Sequence, residues 1–141
     1  MSNPIPVVSA RSIEAGRYLL AARTNHFVAD ATVSRGGKGE AVLASELYLS
    51  SLVTCGLALV TEAARQRGLD DSLFGAEASY VVDPEDGTRF EKVSIEFVLA
   101  EVDDDTADAL LKSFTDICPI YNTVARDTRV YVTFRRSSQA N

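Results

Sequence analysis

The chain has 141 residues, 46% of them hydrophobic and 24% charged, with a formal net charge of -6 at pH 7. That size and balance predict a single folded domain over residues 1–141 and exclude the polar, highly charged profile of disorder. The acidic balance argues against a nucleic-acid partner, which needs a basic surface to displace counterions from phosphates. No stretch reads as the roughly 20 apolar residues that cross a bilayer, and the start lacks the apolar core of a signal peptide. We therefore expect no membrane association and a cytoplasmic location.

Residues 17–33, RYLLAARTNHFVADATV, read as two strands rich in apolar and β-branched residues, with Thr24 and Asn25 supplying the turn. The segment SRGGKGEA, residues 34–41, is a glycine-rich exposed loop. Its GGKG lacks the GxxxxGK[ST] spacing that cradles phosphates, so it does not argue for a nucleotide. A helix is expected from Ser45 to Arg67: Ser45 is able to cap, Glu46 stands in the first turn, and Arg65 and Arg67 stand in the last. Gly68 stops it. Positions 47–60 are apolar or small on nearly every side, so the helix must be surrounded. A chain this short would struggle to do that alone, and a C2 dimer is the simplest completion.

Residues 74–102 give two strands around the turn residues Asp83, Pro84, Glu85, Asp86 and Gly87, with Val93, Ile95, Phe97 and Leu99 on one buried face. Acidic Asp103, Asp104 and Asp105 open a second amphipathic helix; they lack the EF-hand pattern, and no calcium is expected. Pro119 suits the first residue of a short third helix, and TRVYVTFRR closes the chain as a strand. The order is strands, long helix, two strands, helix, short helix, strand, which is an α+β fold.

The chemistry rests on few residues. Cys55 and Cys118 stand 63 positions apart, outside any metal-ligand spacing, so no zinc or other metal cofactor is expected. Either they are buried small hydrophobes or they cycle between thiol and disulfide. Burial alone silences Cys55, which then needs a cation from another segment. Cys118, just ahead of a helix, can be served by backbone N–H groups. His26, the single histidine, reads as a turn or surface residue.

The run RGGKGEAVLASELYLSSLVTCGLALV, followed much later by CPIYNTV, resembles the OsmC/Ohr family of thiol peroxidases over about residues 17–134. The shared pattern is a glycine-rich loop, a Glu-Leu helix start, a mid-helix Cys and a distal Cys-Pro. The resemblance implies an α+β fold with an N-terminal hairpin, a long buried central helix, antiparallel strands and a second helix, assembled as an intertwined homodimer. It implies that Cys55 is the peroxidatic thiol, Cys118 the resolving thiol, Arg35 the thiolate-stabilising arginine and Glu46 its carboxylate partner. Arg17 or Arg23 could take the place of Arg35. Leu52, Phe27 and Tyr121 are candidates for a pocket wall, with core packing as the plainer role.

The implied reaction takes an organic hydroperoxide to its alcohol, leaves a sulfenic acid on Cys55, and closes a disulfide with Cys118. An external dithiol, of which a lipoyl-type reductant is one form, then reopens it. No bound cofactor is implied. The chain departs from the pattern in two places: Ser45 stands where many members carry an acid, and the usual proline at the helix start is missing. These departures point to the rival reading, a non-catalytic small-molecule-binding or redox-sensing member of the same fold.

Overall fold

The computed structural model describes residues 4–126 and 128–136. The chain forms two compact units, the first made of Met1–Thr54 and Ala76–Phe97 and the second of Cys55–Gly75 and Val98–Asn141.

The first unit is built on a four-stranded sheet of β1 (Val8–Glu14), β2 (Arg17–Ala22), β3 (Asn25–Asp30) and β4 (Val42–Leu43), in that spatial order. The expected hairpin is β2–β3, with Ala22 opposite Asn25 and Arg17 opposite Asp30. Its two-residue turn is Arg23–Thr24, and Arg23 takes a positive φ of 57°. Strand β1 adds a further antiparallel pair absent from the sequence reading, because all seven of its residues are exposed and no apolar face marks it. After β3 the chain makes one short 3-10 turn, Val33–Arg35, crosses the glycine-rich loop and returns parallel to β3 as β4.

Two glycines in that return are fixed by contact. A Cβ on Gly37 would lie 1.8 Å from the Ala31 carbonyl oxygen, and one on Gly16 would lie 2.5 Å from the Gly37 Cα. The loop is thus pressed backbone to backbone onto the β1–β2 turn, where the Ala31 N–H donates to the Gly16 carbonyl at 2.8 Å.

Strands β5 (Gly75–Val82) and β6 (Phe90–Val98) form a separate two-stranded sheet. Val93, Ile95 and Phe97 alternate with exposed neighbours as expected, although they are half-buried rather than buried. Asp83 organises the turn by accepting from the Glu85 N–H at 2.9 Å and from the Arg89 Nε at 2.8 Å. Phe90 stacks on Tyr80 with centroids 4.0 Å apart and meets Tyr48 at 5.7 Å.

Helix α1 spans Ala44–Gln66. Its start corrects one expectation: Ser45 lies inside the first turn, and the Glu46 carboxylate accepts the Leu43 N–H at 2.8 Å, which is the backward half of a capping box. Its end matches expectation. Gly68 has φ 72°, its N–H donates to the Arg65 carbonyl, and the Leu69 N–H donates to the Ala64 carbonyl, a Schellman ending.

Leu52, Gly56, Val60 and Ala64 form a buried stripe at four-residue spacing, while Ser50, Thr54 and Ala58 are exposed. The described residues therefore do not surround this helix. By length and composition α1 could also cross a membrane, with a mean hydropathy of 1.5, which corrects the reading that no stretch approaches that limit. The core helix of a globular domain meets the same criterion.

In the second unit, α2 (Asp104–Ile117) starts at Asp103, whose side chain accepts the Thr106 N–H, and buries Leu110 and Phe114. Helix α3 (Pro119–Ala125) follows after the single residue Cys118. Tyr121 of α3 packs its ring 5.0 Å from that of Phe114. The expected closing strand is absent: residues 128–136 carry no strand, and Val130, Tyr131, Val132 and Phe134 are 79% to 91% exposed. The alternating pattern suits a strand, but a strand exists only when paired, and no partner for it is found among the described residues.

Candidate active site

Cys55 projects from the middle of α1, and Cys118 is the hinge between α2 and α3. Despite their separation in sequence, the two thiols are near enough for Cys118 to influence the ionisation of Cys55. Cys118 is held on all sides. Its N–H donates to the Phe114 carbonyl at 3.0 Å, and its carbonyl accepts from the Asn122 N–H and the Asn122 Nδ2. Its Sγ accepts the Tyr121 N–H at 3.3 Å, the position an N-cap oxygen would take. One backbone N–H of α3, that of Tyr121, reaches the sulfur, and the residue is fully buried.

Cys55 is half-buried. Burial pushes its thiol up to about 11, the hydrogen bond and charge of Cys118 push the same way, and the Ile120 N–H opposes them. At neutral pH this sulfur is a thiol, so attack on a peroxide needs a further influence that favours the thiolate.

The coupling gives a direct prediction. Because alkylation requires the thiolate, the rate at Cys55 should climb roughly tenfold per pH unit above neutrality. Replacing Cys118 by Ala removes two of the three upward influences and leaves burial. The midpoint of the iodoacetamide pH profile should therefore move down in Cys118→Ala, and an unchanged or higher midpoint would show the sulfurs to be uncoupled.

Apart from Tyr121, the remaining candidates lie in the first unit. Arg35 ends the 3-10 turn and, with Gly87, Thr88, Arg89 and Phe90, lines a cleft of about 430 Å³. Glu46 caps the start of α1. Arg23 holds the hairpin turn. Arg17 is committed elsewhere: its Nε and one terminal nitrogen grip both oxygens of Asp30 at 2.7 and 2.9 Å, and it reaches Glu40 at 3.1 Å and Glu14 at 3.3 Å. The guanidinium beside Asp30 and the Ala41 N–H hold that carboxyl well below the usual carboxylate range. His26 is an exposed residue of β3, Phe27 is half-buried beside it, Leu52 is in the core, and Tyr121 packs on Phe114.

The Arg17–Asp30 pair was not singled out from the sequence. Hairpin arithmetic contains it, since a turn at Arg23–Thr24 puts position 17 opposite position 30.

Residues 37–133 match the family model described as OsmC-like protein. A search of curated proteins found no match. Among solved structures, a Psychrobacter arcticus protein named for osmotic stress induction and detoxification response is 25% identical, with a TM-score of 0.74, covering 86% of this chain and 90% of its own. The organic hydroperoxide resistance protein OsmC of Legionella pneumophila matches at 18% identity and a TM-score of 0.62, covering 88% and 91%. OhrB of Bacillus subtilis, also an organic hydroperoxide resistance protein, matches at 19% and 0.56, covering 85% and 90%. The α+β element order and these matches agree with the resemblance carried by the glycine-rich loop, the mid-helix Cys55 and the distal Cys118-Pro119. The chain belongs to the OsmC-like protein family.

Proposed function

We propose that this protein is a thiol-dependent peroxidase that reduces organic hydroperoxides to alcohols. The observation that supports it is the electrostatic influence of Cys118 on Cys55, a mid-helix thiol and a distal Cys-Pro thiol that are far apart in the sequence. The Cys55 thiolate attacks one oxygen of the O–O bond; the other leaves with a proton as the alcohol, and Cys55 becomes a sulfenic acid. The Cys118 thiol displaces its hydroxyl as water, closing the disulfide, and an external dithiol returns both sulfurs to thiols while becoming a disulfide itself. Arg35 supplies the positive charge that favours the thiolate, and Glu46 is the acid associated with it, as in the family pattern. The relatives named for organic hydroperoxide resistance are in keeping with this chemistry.

The working form in this proposal is a cytoplasmic homodimer. The exposed apolar residues of segment 128–136 and the exposed side of α1 support it, since both offer surface that a second copy would cover. A stopped-flow assay with cumene hydroperoxide and a dithiol tests the activity: the protein should consume peroxide and dithiol in equal amounts over many turnovers.

The rival is a non-catalytic OsmC-like protein that binds a small molecule or senses redox state. The raised Cys55 thiol and the missing proline favour it. It predicts no turnover, with Cys55 slow to react below its raised midpoint.

A further inference from the structure

Asp30 is a buried acid whose side chain is fully enclosed, and the peroxidase proposal leaves it without a role. It accepts four hydrogen bonds. Two come from Arg17, and two come to the same Oδ2 from the N–H groups of Glu40 and Ala41, each at 2.9 Å. Those two amides lie at the far end of the loop that begins directly after Asp30. One carboxylate thus closes the neck of loop 31–39, with one side of the neck covalent and the other hydrogen-bonded.

The loop held in this way carries Arg35, whose own N–H donates to the Thr32 carbonyl at 2.9 Å. Beyond the neck, β4 pairs with β3 through Ala29–Val42 and Asp30–Leu43, and Leu43 gives its N–H to Glu46. A single buried carboxylate therefore fixes where both Arg35 and Glu46 start from.

We infer that Asp30, clamped by Arg17, is a positioning residue that sets the placement of Arg35 and Glu46 by closing the neck of loop 31–39. The functional part rests on the proposed roles of those two residues, and the structural part does not. An amide at position 30 could keep its oxygen toward Glu40 and Ala41 and lose only the Arg17 Nε bond, whereas Asp30→Ala removes every acceptor and opens the neck.

Two readouts test the inference. Trypsin should cut after Arg35 and Lys38 slowly in the unaltered protein and roughly tenfold faster or more in Asp30→Ala, and this needs no peroxidase activity. Hydroperoxide reduction by Asp30→Ala should fall roughly 10²-fold, the cost of an ångström-scale misplacement. Arg35→Met should then cost little more in the Asp30→Ala background than the first change alone, whereas independent roles would add. Equal trypsin protection in both proteins, or additive losses with Arg35→Met, would overturn the inference. If Asp30→Ala does not fold, Ala41→Pro removes one neck hydrogen bond while leaving the Arg17–Asp30 pair whole, and the same readouts apply. Absent turnover in the unaltered protein with a protected loop would fell the peroxidase reading and leave the neck standing.

Discussion

Cys55→Ser should lose organic hydroperoxide reduction by at least roughly 10³-fold, because no hydroxyl at that position is acidic enough to replace the thiolate nucleophile. Cys118→Ser should behave differently, and the contrast carries the information. Its Cys55 still attacks the first equivalent of peroxide, so one burst of alcohol appears. Turnover with a dithiol then slows, and the sulfenic acid at Cys55 becomes open to further oxidation. Both variants keep a side chain of nearly the same size, and the new hydroxyl in Cys118→Ser retains an acceptor for the Tyr121 N–H. Loss of activity with a retained fold is the expected outcome, read by stopped-flow kinetics beside circular dichroism. Equal loss in both variants, with no burst in Cys118→Ser, would mean that Cys55 is not the attacking sulfur.

Gly37→Ala should be the most damaging small substitution in the first unit. The added Cβ would fall 1.8 Å from the Ala31 carbonyl oxygen, with the carbonyl carbon at 2.5 Å, and neither is a flexible side chain that could swing away. The backbone must move, so we expect a loss of about 3 kcal/mol or more. Its neighbour provides the control. A Cβ on Gly36 meets nothing within 4 Å, and only the positive φ of 84° opposes it. Gly36→Ala should therefore cost about 1–2 kcal/mol. Urea unfolding of the two variants measures the difference. Equal effects would mean that the loop does not lie against Ala31.

Elements whose signals are local were legible in the sequence. Gly68 ended α1, Asp103 opened α2, and Cys118-Pro119 opened α3, because each acts on backbone groups within a few residues of itself. The alternation of Val93, Ile95 and Phe97 survived for the same reason. The misses depend on partners. Strand β1 is exposed throughout, so nothing in its own pattern shows that β2 pairs with it. Segment 128–136 has the pattern of a strand and no ladder to join among the described residues.

The capping of α1 turned on competition between adjacent side chains. Ser45 was the better cap by type, but Leu43 is the residue whose N–H needs an acceptor, and Glu46 stands three positions on, where its carboxylate reaches back. The candidate site was legible in the same uneven way. The Cys-Pro motif foretold how α3 would treat Cys118, whereas the enclosure of Asp30 emerges only when β2, β3 and the loop return to one place.

The central claim is that Cys55 and Cys118 are partners in one oxidation. Non-reducing peptide mapping after one equivalent of cumene hydroperoxide tests it most directly. The account predicts a single cross-linked peptide pair joining Cys55 to Cys118, formed with one equivalent of alcohol and reopened by a dithiol. Peroxide left unconsumed, or Cys55 oxidised to sulfinic acid beside an untouched Cys118, would contradict it.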